Sequence, residues 1–420
     1  MTRVKFNGKI LGTSSGTLIK TGPGTLTLNG ASTYGGGTQI NGGGIAIGDA
    51  SALGTGPVTM GSTTLQFNTG MTFSLPITVT GTNSATFQAN SGATATITQP
   101  IVAGGTSLNA LNFSGTGVII LSGQNTYSNF ISVNDTATLK AGAVNAFSPN
   151  GRIAVASTAA LDLNNFSNTI PLLASNGNVN LGSADLTITA SSSFNNRING
   201  ILSGSGRLIL QGGGAFRVDN TLNSFTGGIV VNTNAISLTG SGNSFSTGPI
   251  VFNTSGSLTN TSGTVNAPIT INGSSSVTFS STTIAQPIIN PSGTVNIRSC
   301  TLSGANTYAG NTTTDAFGGT GLTAGGVNTF SPNSNHTLVN AVSGNLVLNN
   351  FSNIIGSLAG GGSTGGNVLL GSATLTLGNS TNTTYAGVVS GTGGLIKQGA
   401  GTFTLTGTNL YSGGTQISAG

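Results

Sequence analysis

The 420 residues carry 11 basic and 6 acidic side chains, every acid an Asp, with one His, one Cys, no Trp and 69 Gly. Against a usual charged share of about a quarter, 4% charged residues leave little for general acid–base pairs or metal sites, and a net charge of +5 spread thinly forms no phosphate-tracking stripe. Disorder is excluded as well, because 36% of the chain is hydrophobic and its mean hydropathy is +0.20.

The chain opens on a basic segment, Met1 to Ile10, with no apolar stretch or small-residue cleavage site behind it, so no export signal is read there. Nowhere do about 18 apolar residues run together, so no transmembrane helix is expected. A single Cys forms no internal disulfide and says nothing about redox compartment. Strands follow in order at 25–28, 64–67, 73–80, 159–163, 185–188, 344–348, 373–377 and 402–405, each with apolar side chains at alternate positions. The clearest is 73–80, where Phe73, Leu75, Ile77 and Val79 alternate with small, polar or Pro residues. Gly, Asn, Ser and Pro clusters separate these segments, and no window sustains a helical period.

Long internal repeats organise the chain. Residues 16–28, GTLIKTGPGTLTL, align without a gap with 206–218, GRLILQGGGAFRV. Gln124-Asn-Thr-Tyr127 recurs as Ala305-Asn-Thr-Tyr308, Val144-Asn-Ala-Phe-Ser-Pro149 as Val327-Asn-Thr-Phe-Ser-Pro332, and Leu163-Asn-Asn-Phe-Ser-Asn168 as Leu348-Asn-Asn-Phe-Ser-Asn353. The division is an N-terminal partial coil at 1–15, long repeats at 16–205 and 206–392, and the start of a third at 393–420, all in one continuous solenoid. Strands follow one another too quickly for crossover helices. The expected fold is therefore all-β, a parallel β-helix (β-solenoid) of roughly 20 coils with no substantial helix.

The unit at 16–43 and 393–420 reads Gly-x-Leu-x-Lys-x-Gly-x-Gly-Thr, an apolar strand, a turn ending in Tyr, then Gly-Gly-Thr-Gln-Ile. It resembles the autotransporter-associated β-strand repeat of bacterial autotransporter passenger domains. Looser copies lie at 117–133, 204–231 and 298–314. The resemblance implies a right-handed parallel β-helix exported to a bacterial surface. It departs from an autotransporter in that Gly420 falls inside a repeat with no translocator barrel, and no distinct capping sequence precedes the array.

Candidate chemistry is sparse. Asp49, Asp135, Asp162, Asp185, Asp219 and Asp315 never stand two apart, and the repeat counterparts of Asp162 and Asp185 are Val347 and Thr374, so they read as solvated or turn-capping groups. His336, aligned with Arg152, is expected on the surface; Cys300, in phase with Leu302, is expected in the core. Lys20 and Lys397 share a position where Leu210 stands in the middle copy, which argues against a need for charge there. Tyr34, Tyr127, Phe225, Tyr308 and Tyr411 fill one slot of the turn motif, as packing or, in a sharper reading, as a row that stacks against sugar. Paired asparagines such as Asn164-Asn165 and Asn349-Asn350 suit left-handed corners and ladders between coils. The glycine run 360–366 lacks the Lys-Ser/Thr and helix of a phosphate loop. No catalytic residue, cofactor site or metal site is assigned.

These readings point to a non-enzymatic extracellular structural rod on a bacterial surface, stacking head to tail with itself through open ends into a filament. Two alternatives stand beside it: a fragment of a larger passenger acting as an adhesin, and a glycan-binding or glycan-cleaving β-helix. Surface glycan or protein of a host or neighbouring cell is the external partner expected; nucleic acid is not.

Overall fold

The computed structural model describes residues 3–80, 83–103, 110–128, 130–189, 196–234, 236–245, 247–289 and 292–420. It divides into two compact units, Met1–Gly212 and Gly213–Gly420. Each is a parallel β-solenoid, and among the described residues the helical content is one 3-10 turn, Gly242–Phe245.

In the first unit one face begins with strands Arg3–Phe6, Thr25–Leu28, Gly44–Ile47, Thr64–Phe67 and Ala85–Ala89, every neighbouring pair parallel. Arg3 lies opposite Thr25, Thr25 opposite Gly44 and Gly44 opposite Thr64, so a coil takes up about 20 residues. A second face runs Leu18–Lys20, Thr38–Ile40, Val58–Met60 and Ile77–Val79; a third runs from Met71–Phe73 through Thr94–Ile97 and Val118–Leu121 to Thr138–Ala141. The second unit repeats the plan, with its first face passing from Gly214–Val218 through Ile236–Gly240 and Gly256–Asn260 to Phe403–Leu405.

Alternation builds the core. In Ala85–Ala89 the side chains of Ala85, Phe87 and Ala89 point inward and are buried, while Thr86 and Gln88 face outward. Because neighbouring strands are parallel and in register, like side chains meet like: Phe87 lies opposite Leu65 and Phe113, and its ring stacks on Phe113 at 5.6 Å. Burying each such ring contributes about 2–3 kcal/mol. In the second and third copies of the recurring unit the leading glycine follows from the tight coil spacing. A Cβ on Gly206 would lie 1.7 Å from the Ala184 carbonyl oxygen, and one on Gly393 would lie 1.8 Å from that of Ala373.

Candidate functional site

The recurrent motifs converge on a corner in each unit. In the second unit Asn306 is buried; its Oδ1 accepts the Ile288 N–H at 2.7 Å, and its Nδ2 donates to Gly304 O at 2.9 Å and Thr329 O at 2.6 Å. One amide thus ties the preceding coil, its own turn and the following coil. Asn125 does the same in the first unit, with Ile101 N–H, Gly123 O and Ala146 O. One coil on, the Phe-Ser-Pro turn buries Phe147 or Phe330, and Ser148 or Ser331 donates back to the carbonyl of Tyr127 or Tyr308. A further coil on, Asn168 Oδ1 accepts the Phe147 N–H and Asn353 Oδ1 the Phe330 N–H, both at 2.9 Å. Three motifs scattered in sequence therefore form one hydrogen-bonded column. In the first copy of the unit Ser32 replaces the Asn, its Oγ accepting the Ile10 N–H at 3.0 Å.

The paired asparagines adopt the left-handed conformation: φ is 49° and 65° at Asn164 and Asn165, 50° and 65° at Asn349 and Asn350. Their side chains also reach across coils, Asn165 Oδ1 accepting Ser183 N–H at 2.8 Å and Asn350 Oδ1 accepting Ser372 N–H at 2.9 Å.

Tyr34, Tyr127, Phe225 and Tyr308 are buried, and Tyr411 is half-buried. They do not stand in one file. Tyr34 follows a first-face strand, Thr25–Leu28, whereas Tyr127 precedes one, Phe130–Val133. With these rings inside the solenoid at different corners, the row of sugar-stacking aromatics is not formed. Tyr34 and Tyr308 hydrogen-bond Thr38 and Thr312 at 2.7 and 2.8 Å, and Tyr411 pairs with Thr415. Tyr127 faces Ile131 instead, and its buried hydroxyl lacks a partner.

The two lysines of the unit have a use that sequence comparison missed. Lys20 Nζ donates to the carbonyls of Thr21, Gly22 and, in the next coil, Gly42 at 2.8–2.9 Å. Lys397 repeats this on Gln398, Gly399 and Ala419, and is only 8% exposed. Three ammonium protons meet three carbonyls, which matches the donor inventory of lysine. Leu210, buried at the same position, keeps the packing and gives up the clamp. A tolerated Leu concealed the role.

His336 requires a correction. It is 1% exposed, not on the surface. Strand Asn335–Leu338 is equivalent to Arg152–Val155, so His336 corresponds to inward Ile153 and not to outward Arg152, one residue away. In a strand such a slip exchanges core for solvent. Cys300 is buried, and burial pushes its thiol pKa far up.

The six carboxylates are dispersed. Asp49 accepts the Ser51 N–H at 2.8 Å and Asp135 the Gly115 N–H at 2.9 Å, while Asp162, Asp185, Asp219 and Asp315 pair with Lys140, Arg207, Arg217 and Arg298 at 2.6–3.2 Å. The side-chain hydrogen bonds from Arg207 hold the Asp185 carboxyl below its ordinary range. Lys140 and Asp162 are direct neighbours on adjacent strands, so these two opposite charges meet across the ladder. Among the described residues no three His, Cys, Asp or Glu side chains gather where a metal ion could sit, and no helix is long and apolar enough to cross a membrane.

The passenger-associated-transport-repeat family matches residues 18–47, 114–143, 300–316 and 395–420, the segments that carry the lysine clamp or the Asn-Thr-Tyr corner. The chain carries autotransporter passenger repeats. Over its whole length it is 32% identical to the adhesin BmaC autotransporter of Brucella suis biovar 1 (strain 1330), in an alignment of 455 residues. It spans 13% of that relative's length. No solved structure matches it significantly.

Proposed function

We infer that the chain is an adhesive, non-enzymatic segment of a surface-exported passenger. The observation that carries this reading is similarity, over the whole of this chain, to part of a protein named as an autotransporter adhesin, and the passenger repeats agree with it. The corner columns supply a scaffold whose outward strand positions are mostly Thr, Ser, Asn and Gln, suited to contacting a partner over an extended face. The partner class is surface glycan or protein of another cell. Latex particles coated with the folded chain are expected to adhere to epithelial cells above particles coated with heat-unfolded chain, with no reducing sugar released from a polysaccharide panel. Equal adherence of both coatings, or sugar release, would overturn the reading.

Head-to-tail stacking is a second reading, favoured by exposed apolar side chains on the first and last coils: Val4, Leu11 and Ile19 in the first unit, Leu410 and Ile417 in the second. Those edges suit a second copy and further coils of a longer chain alike. Sedimentation velocity from 1 to 100 µM separates the two. Filaments growing with concentration support stacking, and a constant monomer refutes it.

A further inference from the structure

The equivalent corners of the two units differ at three buried positions that touch one another. The first unit carries Ile131, Gly151 and Ile153; the second carries Thr312, Ser334 and His336 at the same places on, or just before, equivalent strands. The changes are sterically linked. A Cβ on Gly151 would stand 3.1 Å from both Ile131 Cδ1 and the Tyr127 ring, so a Ser there crowds Ile131 and is eased by the smaller Thr. In the second unit the space holds a chain of polar groups: Tyr308 hydroxyl to Thr312 Oγ1 at 2.8 Å, Thr312 Oγ1 to Ser334 Oγ at 2.8 Å, and Ser334 Oγ donating to Gly310 O at 2.7 Å.

His336 adjoins this chain through the Ser334 backbone. Its Nδ1 lies 3.1 Å from the Ser334 carbonyl oxygen, which can only accept, so Nδ1 carries the proton. Nε2 is fully buried and has no partner. The imidazole lies between Thr312 and Leu358 on the neighbouring strands, with the Phe330 ring 6.0 Å away. No Asp, Lys or Arg occurs in Asn311–Thr314, in Ser357–Gly360, in its own strand or in the turn at 327–334. The titratable groups of the cluster are Tyr308 and Cys300, both kept neutral by burial. A second proton on this ring would have neither an acceptor nor a counter-charge.

We propose that the Thr312–Ser334–His336 corner is an acid-sensitive weak point of the second unit, at which mild acid loosens the coils spanning 308–360 while the equivalent coils of the first unit stay closed. Burial pushes the His336 pKa down to about 4 from an ordinary 6.5. The unfolded chain therefore takes up the proton first. The stability tied to neutral His336 is complete above pH 6.5 and is lost progressively as pH falls toward 4.

Hydrogen exchange on the whole chain, corrected for intrinsic rates, tests this between pH 7 and pH 5. The expected result is an opening equilibrium for 311–314, 335–338 and 357–360 that rises about 20-fold, with 130–133, 152–155 and 172–175 unchanged and the rise absent in His336→Ile. An equal response in both sets, no response in either, or an undiminished response in His336→Ile would overturn the proposal. NMR on the unsubstituted chain needs no variant, because its one His gives one imidazole signal. Titration below pH 5 from an Nδ1–H tautomer agrees with the proposal, and titration near pH 6.5 contradicts it.

Discussion

The corner at 125–153 and the corner at 306–336 carry the same Asn-Thr-Tyr and Phe-Ser-Pro motifs in equivalent turns, yet one encloses Ile131, Gly151 and Ile153 and the other Thr312, Ser334 and His336. The backbone column is indifferent to the change, since Asn125 and Asn306 make equivalent bonds in both. The difference shows which part of the motif is scaffold and which is filling. Amide and Phe-Ser-Pro turn join the coils; the side chain four residues after the ring decides only whether a hydroxyl on that ring has a use. Thr38, Thr312 and Thr415 follow tyrosines, Ile229 follows Phe225, and the mismatch is Tyr127 with Ile131.

Substitutions can break or sharpen that comparison. The largest effect is expected from Phe147→Ala and Phe330→Ala, each removing a fully buried ring at about 3–5 kcal/mol; urea unfolding followed by circular dichroism should show equal losses, and a gap beyond about 1 kcal/mol would mean that the filling also sets the scaffold. Lys397→Leu imitates the middle copy and should cost about 1–2 kcal/mol, because three carbonyls lose a charged donor while packing is kept. At the tyrosines the sign should reverse between corners. Tyr308→Phe loses its bond to Thr312 and destabilises by about 1 kcal/mol, whereas Tyr127→Phe removes an unpartnered buried hydroxyl and is neutral or stabilising by up to about 1 kcal/mol. Smallest of all is Asp185→Asn. The Arg207 pair is largely exposed, so the loss should stay below about 1 kcal/mol and vanish in 1 M salt; as a depressed carboxyl, Asp185 contributes above its ordinary pKa and ceases to do so in acid.

Much of this was legible in the sequence. Period-2 alternation with Gly and Asn punctuation led to parallel solenoids, and the repeats located the corners before any contact was known. The left-handed Asn pairs followed from their residue type, and Cys300 from its phase with Leu302. What escaped the sequence was contact across coils. Lys397 bonds a carbonyl 22 residues away, and its Leu210 counterpart made the charge look dispensable. His336 was lost through register. Carried on without a gap from the Phe-Ser-Pro motif, the repeat sets His336 against Ile153, and a shift of one position is enough in a strand to move a side chain from core to solvent. The five motif aromatics share a local slot, but only the chain path shows that Tyr34 and Tyr127 occupy different corners.

The most direct test of the central claim, that the corner asparagine joins successive coils, is urea unfolding of Asn306→Ala beside Asn306→Ser. Alanine strands the Ile288 N–H and the Gly304 and Thr329 carbonyls and should cost about 3 kcal/mol or more, while serine, which stands at this position as Ser32, should recover part of the loss. An alanine variant unfolding at the same urea concentration as the unsubstituted chain would contradict it.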